Sequence, residues 1–360
     1  MASPDTAALD AALESYVDPL IGCGLISAGC VKQAALNNGR ASLQLELGFP
    51  AAGYRATLIQ ALQAHLRSEL KLESDIELSW CVQSQAVQEK LKPIPQVRNI
   101  IAVASGKGGV GKSTVSANLA LALQAEGARV GVLDADIYGP SQPRMLGSSA
   151  KPTSPDGSNM HPIQTLGLQA MSIGFLISEE QPMIWRGPMV TQALMQLINE
   201  TRWKDLDYLI IDLPPGTGDT QLTLSQRIPV SGAVIVTTPQ DIALLDARKG
   251  LEMFRKVSVP VLGVVENMSL FHCPHCGETT EIFGAGGGQN MAQQYDVELL
   301  GQIPLDAQIR LQADSGKPSV AADPESPVSL IYRDIARKAA ARLAYGDDEQ
   351  AFPEITISDD

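Results

Sequence analysis

The sequence predicts an α/β protein in which a mainly parallel sheet is covered by helices on both faces and preceded by a small α+β unit. Two patterns support this. From residue 99 onward, continuous apolar runs at 100–104, 129–134, 207–212, 233–238 and 261–266 alternate with helical stretches, as parallel strands buried on both faces do. The first 82 residues instead alternate apolar with polar positions, the period of strands with one wet face.

In the first unit, Leu43, Leu45 and Leu47 alternate with Ser42, Gln44 and Glu46, and Ile76, Leu78, Trp80 and Val82 with Glu77, Ser79 and Cys81. Both stretches read as strands. Asn37-Asn38-Gly39 supplies the turn that pairs the first of them with the segment from Val31. Between the strands, Leu58, Leu62, Leu66 and Leu70 recur every four residues and so share one helix face. The predicted order is helix, hairpin, helix, strand over residues 1–82. Residues 83–98 are rich in Gln, Ser and Glu and carry Lys92-Pro93-Ile94-Pro95 without an apolar period; they read as a linker. Extended, such a linker reaches about 50 Å, enough for the first unit to swing against the second. Residues 99–346 form the second domain, closed by a helix carrying Ile331, Ile335, Ala339 and Leu343. Residues 147–158 are the most turn-rich stretch and are expected to be mobile. Residues 347–360 are acidic and expected to be disordered.

The apolar run at 100–104 enters Ser105-Gly106-Lys107-Gly108-Gly109-Val110-Gly111-Lys112-Ser113-Thr114. Gly106, Gly111, Lys112 and Ser113 fit G-x-x-x-x-G-K-[ST], in which backbone N–H groups wrap a phosphate, the lysine neutralises it and the hydroxyl holds Mg2+. This is a nucleotide-binding P-loop, with residues 106–114 as its candidate contacts. Lys107 is a second lysine in the loop and needs another role. Carboxylates close the later runs: Asp134 and Asp136, then Asp212, then Asp219, at the strand ends where open parallel sheets place ligands. Asp212, after its apolar run, suits support of Mg2+. Gly216 and Gly218 suit a loop that senses the γ-phosphate.

Composition narrows the function. With 40 acidic and 27 basic residues the formal charge is −13, which repels phosphate backbones and anionic lipid; neither nucleic acid nor membrane is an expected partner. No run approaches a membrane span and the N-terminus lacks signal-peptide character, so a cytoplasmic location is expected. Five cysteines do not make a disulfide framework. Cys23, Cys30 and Cys81 lack ligand spacing and read as structural. Cys273-Pro274-His275-Cys276 is different, because one tight turn can aim both sulfurs at one metal centre. A structural zinc wants four ligands, for which His272 or His275 could be recruited; a thiol redox role is a further reading. Two copies of the chain would supply four thiolates, enough for one [4Fe-4S] cluster.

The motif Gly-Lys-Gly-Gly-Val-Gly-Lys-Ser-Thr resembles the deviant Walker A loop of dimeric ATPases such as the Min and Par proteins and nitrogenase iron protein. That resemblance implies a homodimer with ATP near its interface, Lys107 on the nucleotide beside Lys112, Asp136 orienting the attacking water, Asp212 as the Walker B carboxylate and Asn267 on the purine. It makes Lys107, Lys112, Asp136 and Asp212 the catalytic candidates and Ser113, Asp134 and Asp212 the Mg2+ candidates. Adding Asp-Ala-Asp-Ile-Tyr-Gly-Pro-Ser (134–141), Trp-Arg-Gly-Pro (185–188), Asp-Leu-Pro-Pro-Gly-Thr-Gly-Asp (212–219), Glu-Asn-Met-Ser (266–269) and the Cys-x-x-Cys, residues 98–345 resemble the Mrp/ApbC iron-sulfur cluster carriers. Residues 9–82 resemble the iron-sulfur-assembly domain that precedes many of them. That domain often carries a cysteine where this chain reads Phe49-Pro50-Ala51-Ala52-Gly53, so no thiol chemistry is carried over to it. The resemblance implies ATP, Mg2+ and a [4Fe-4S] cluster on Cys273 and Cys276 of both subunits, with scaffold proteins and apo iron-sulfur proteins as partners. A nucleotide-switched positioning ATPase and a nitrogenase-iron-protein-like reductase are the alternatives.

Overall fold

The computed structural model describes residues 6–37, 39–85, 87–88, 91–177 and 187–346. Asn38, Trp185, Arg186 and the acidic segment 347–360 therefore lie outside the described residues.

The first unit runs α1 (Thr6–Ser15), β1 (Val31–Asn37), β2 (Arg40–Leu47), α2 (Arg55–Leu70) and β3 (Glu73–Trp80), the order read from the sequence. Its sheet has the order β1-β2-β3. The hairpin closes on the pair Asn37 and Arg40, while β3 returns parallel to β2 because α2 intervenes as a crossover. Leu43, Leu45 and Leu47 are buried together with Leu58, Leu62 and Leu66 of α2, so the period-two and period-four patterns meet in one core.

The second unit continues with β4 (Val97–Ala104), α3 (Lys112–Ala125), β5 (Val130–Asp134), α4 (Gln142–Met145), β6 (Ile163–Thr165), β7 (Leu168–Ser172), α5 (Gly187–Glu200), β8 (Leu206–Asp212), α6 (Asp219–Arg227), β9 (Gly232–Thr237), α7 (Asp241–Lys256) and β10 (Val261–Asn267). It closes with β11 (Phe271–His272), β12 (Thr279–Thr280), α8 (Gly287–Gln294), β13 (Leu299–Ile303), α9 (Ala307–Asp314), α10 (Ser319–Ala322) and α11 (Pro327–Tyr345). The main sheet has the order β13-β10-β9-β4-β8-β5-β7-β6. Every pair in it is parallel except β6 with β7. The central strands β4, β8 and β9 are buried almost throughout, which accounts for their unbroken apolar sequences. β6, β7 and β13 were not foreseen. They lie toward the sheet's edges and are short, and the exposed Gln164 and Gln302 and the half-buried Gln169 break their apolar pattern.

Residues 147–158 contain no helix or strand; within this stretch Asp156 accepts bonds from the backbone of Ser158 and Asn159 and pairs with Arg202. One expectation changes, because the connection between the units is tied down. Asn99 of β4 accepts from Gln85 N (2.9 Å) and donates to Gln83 O (2.8 Å), Gln88 donates to Ser225 O (3.1 Å), and Val82 and Ile94 are buried.

The first unit is docked as well. Glu126, fully buried at the C-terminal cap of α3, accepts from Gly53 N (2.7 Å), Arg333 Nε (2.9 Å) and Arg337 Nη1 (3.3 Å). A carboxylate at a helix C-terminus is opposed by the dipole; two guanidinium groups from α11 offset that. Tyr345 Oη receives Gly48 N (2.7 Å) and its ring meets Phe49 edge-on. Gly127, at φ +102°, has Trp80 where a Cβ would stand, 2.5 Å from its Cζ2, so only glycine allows that approach. Composition and period are blind to such side-chain clasps, which is why the connection read as free.

Replacing Glu126 with Ala removes the buried carboxylate that Gly53, Arg333 and Arg337 share, leaving the arginines only their more exposed partners Glu325 and Asp334. It should lower unfolding stability by about 2 kcal/mol and speed proteolysis of the 83–96 connection; an unchanged urea midpoint and cutting rate would contradict the clasp.

Candidate functional site

Parallel strands bring their carboxyl ends to one edge of the sheet, and the candidate residues gather there. β4 runs into the glycine loop, β5 ends at Asp134, β8 at Asp212 and β10 at Asn267. Gly109 and Gly111 adopt φ +83° and +86°, the left-handed geometry that turns successive N–H groups toward an anion. The loop is held from behind: Ser105 Oγ donates to Lys107 O (2.9 Å), and Gly216 N donates to Ser105 O (2.9 Å). Gly106 packs so closely on α7 that an added Cβ would lie 2.2 Å from the Asp246 carbonyl.

Lys112 and Asp212 form the centre. Lys112 Nζ lies 2.5 Å from Asp212 Oδ1 and 3.9 Å from Asp136 Oδ2, and it is 6% exposed. Asp212 Oδ1 also accepts from Ser116 Oγ (3.0 Å), and its Oδ2 from Gln142 Nε2 (3.0 Å). The Ser113 hydroxyl is 3.4 Å from Lys112 Nζ. Asp134 is fully buried. It takes Asp136 N on Oδ1 (3.2 Å), and Ser141 N (3.0 Å), Gln142 N (3.0 Å) and Ser172 Oγ (3.1 Å) on Oδ2. Burial, followed by the charge of Asp212, pushes its carboxyl up to about 7. Burial also raises Asp136.

The structure thus brings Lys112, Ser113, Asp134, Asp136 and Asp212 together. Val110 is buried, Gly106 is half-buried, and Lys107, Gly108 and Gly109 are exposed on the outer side of the loop. Thr114 sits in the first turn of α3, where its carbonyl accepts from Asn118 (3.0 Å). Asn267 is buried with Nδ2 donating to Val110 O (2.8 Å), so it braces the loop. The sequence reading missed Ser116, Ser172 and Gln142. Gln142 directly follows the quoted 134–141 motif, and only the fold turns its amide toward Asp212.

The Cys-x-x-Cys lies on a small hairpin that leaves the same edge after β10. β11 pairs with β12, Cys273 N donates to Glu278 O and Gly277 N to Cys273 O (both 2.9 Å), and Gly277 takes φ +74°. This turn puts the backbone N–H groups of Cys276 and His275 on the Cys273 sulfur, lowering its pKa. Cys273 is half-buried and Cys276 exposed, on a knuckle whose residues 274–280 are exposed throughout. Among the described residues, no group of three or more His, Cys, Asp or Glu could hold a metal ion within one chain. Nor is any described helix long and apolar enough to cross a membrane.

Comparisons with known proteins agree with this geometry. The family model described as NUBPL iron-transfer P-loop NTPase matches residues 96–340, and that described as iron-sulfur cluster assembly protein matches residues 6–80. The iron-sulfur cluster carrier protein of Haemophilus influenzae is 51% identical over 336 residues, covering 92% of this chain and 90% of its own. The mouse iron-sulfur cluster transfer protein NUBPL is 53% identical over 256 residues, 71% of this chain and 80% of its own. Among solved structures, a nucleotide-binding protein of Archaeoglobus fulgidus in complex with ADP superposes with TM-score 0.57 at 39% identity, over 65% of this chain and 91% of its own.

The raised Asp134 has a measurable consequence. Between the ordinary carboxylate range and about pH 7 the folded chain keeps a proton that the unfolded chain has lost, so stability falls as pH rises from about 4 to about 7. Without nucleotide or Mg2+, the Tm should decline across that window and Asp134→Asn should flatten the decline; parallel slopes would contradict the assignment.

Proposed function

Since the chain belongs to the Mrp/ApbC family of iron-sulfur cluster carriers, P-loop ATPases preceded by an iron-sulfur-assembly domain, we propose that it is a homodimeric ATPase that carries a [4Fe-4S] cluster on Cys273 and Cys276 of both subunits and passes it to apoproteins. The single observation that carries this reading is that the nucleotide loop and the exposed cysteine knuckle leave the same edge of one sheet, through β4 and β10, with Asn267 bonded to the loop (2.8 Å) between them.

The chain's own residues account for the nucleotide half. Loop 106–114 offers its N–H groups to the phosphates. Lys112 is held in reserve by Asp212 and exchanges that carboxylate for phosphate oxygens when ATP enters. Lys107, exposed at the outer face, is free to serve a nucleotide at the dimer interface. Asp136, close to Lys112 and raised by burial, is placed to orient water. The donor set also fits Mg2+, since a hydroxyl (Ser113), two buried carboxylates (Asp212 and Asp134) and Gln142, whose buried Oε1 has no partner among the described residues, stand beside the loop. Ser113 would hold the ion with Asp212, Asp134 acting through its hydration shell, and Mg2+ would supply neutralisation of phosphate charge.

The cluster is cargo rather than a resident group. One chain provides two adjacent sulfurs, one of them with a lowered pKa, and its exposed knuckle leaves them open to a second copy. Four thiolates then satisfy one cluster. ATP acts as a conformational ligand, biasing a two-state dimer toward holding or releasing the cluster. Scaffold proteins supply the cluster and apo iron-sulfur proteins accept it. The charge of −13 favours such partners over nucleic acid or anionic membrane, in keeping with a cytoplasmic setting.

Anaerobic reconstitution with iron and sulfide tests the cluster. The parent should bind about four iron atoms per dimer and transfer them to an apoprotein, and Cys273→Ala/Cys276→Ala should do neither; equal iron and transfer would refute the assignment. Lys112→Ala should lower ATP turnover by about a hundredfold or more, and undiminished turnover would remove the nucleotide reading.

A further inference from the structure

The residue that joins the two halves of the nucleotide site is Gln142, and it has no part in the function proposed above beyond one unpartnered oxygen. It is the first residue of α4 and only 1% exposed. Its backbone N–H donates to Asp134 Oδ2 (3.0 Å), while its side-chain Nε2 donates both to Asp212 Oδ2 (3.0 Å) and to the carbonyl of Ser113 (3.0 Å). Both side-chain partners are pure acceptors, so the chemistry allows only the orientation with Nε2 toward them. Oε1 is left buried without a partner among the described residues. The loop carrying Asp136 is stapled at both ends to Asp134, through Asp136 N at one end and Ser141 N and Gln142 N at the other. Gln142 therefore belongs to that loop by its backbone and to the nucleotide loop and Asp212 by its side chain.

We propose that Gln142 is a positioning residue that couples the loop of Asp136 to Asp212 and Ser113, so that occupation of the nucleotide site sets the position of Asp136. The inference rests on the ATPase reading and extends it. When Lys112 leaves Asp212 for phosphate, Asp212 keeps two donors, Ser116 and Gln142. Ser116 lies on the same helix as Ser113 and its hydroxyl bonds to Lys112 O and Asp212, whereas Gln142 transmits any shift of Asp212 or Ser113 directly into that loop. A side chain that merely filled space would need no donor at this place; an amide that bridges two acceptors through Nε2 does.

Gln142→Met keeps the length of the side chain and removes its donors. Backbone hydrogen exchange is followed over residues 106–114 and 135–146, with and without Mg2+ plus a non-hydrolysable ATP analogue, together with steady-state kcat and KM. In the parent both segments should gain protection. In Gln142→Met, residues 106–114 should still gain it while 135–146 does not, and kcat should fall about tenfold or more with KM changed less than about threefold. If 135–146 responds in the variant as in the parent, the coupling is refuted. If both segments lose their response, Gln142 is a folding residue and the inference fails equally. A parent in which neither segment responds fails differently, because it removes nucleotide binding itself.

Discussion

A buried lysine paired with a buried aspartate is the constraint around which the second unit is arranged. Charges removed from water are tolerated when their remaining hydrogen-bonding capacity is met, and the structure meets it from three directions. Ser116 comes from the helix that carries Lys112, Gln142 from the loop after β5, and Asp212 itself from the end of β8. The central strands β4 and β8 are adjacent and parallel, so Lys112 and Asp212 meet without a long excursion of the chain. Lys112 is paired with Asp212, so a phosphate bound by the loop would compete with that carboxylate for the lysine. Such a competition gives ligand entry a way to rearrange the groups around Asp212.

Helix α3 has two occupied ends. Its first turn holds the phosphate loop, and its C-terminal cap, Glu126, holds the first unit through Gly53 and two arginines of α11. The loop at 49–53, where the resembled domain often carries a cysteine, is thus engaged in docking. Phe49 is fully buried, and Gly53 is bonded to Glu126. The first unit of this chain is built into the body of the ATPase by specific polar contacts as well as by a shared apolar core.

The cysteine knuckle shows a different economy of structure. It is small, exposed and held by a few backbone bonds, with a left-handed glycine closing the turn. Its residues 274–280 are exposed throughout. Its backbone N–H groups lower the Cys273 pKa, which favours the thiolate, the form in which a cysteine reacts or ligates a metal.

The strands with unbroken apolar runs, the order of the first unit, the phosphate loop and the cysteine pair were all legible in the sequence, because each is written in local spacing. Period-two and period-four patterns, G-x-x-x-x-G-K-S and Cys-x-x-Cys are short-range codes, and the carboxylates stood out because apolar runs preceded them. Only the tertiary structure decided what those residues touch. It placed Lys112 on Asp212, 100 residues apart, used Asn267 to brace Val110, turned Gln142 into a bridge and fastened the supposedly free first unit with Glu126. β6 and β7 also waited for the fold, since strands of three and five residues are too short to leave a readable period. The physical reason is common to these cases. Local sequence sets which way a segment turns and which face it buries, while polar side chains find partners only when distant segments close, and no spacing along the chain records that closure.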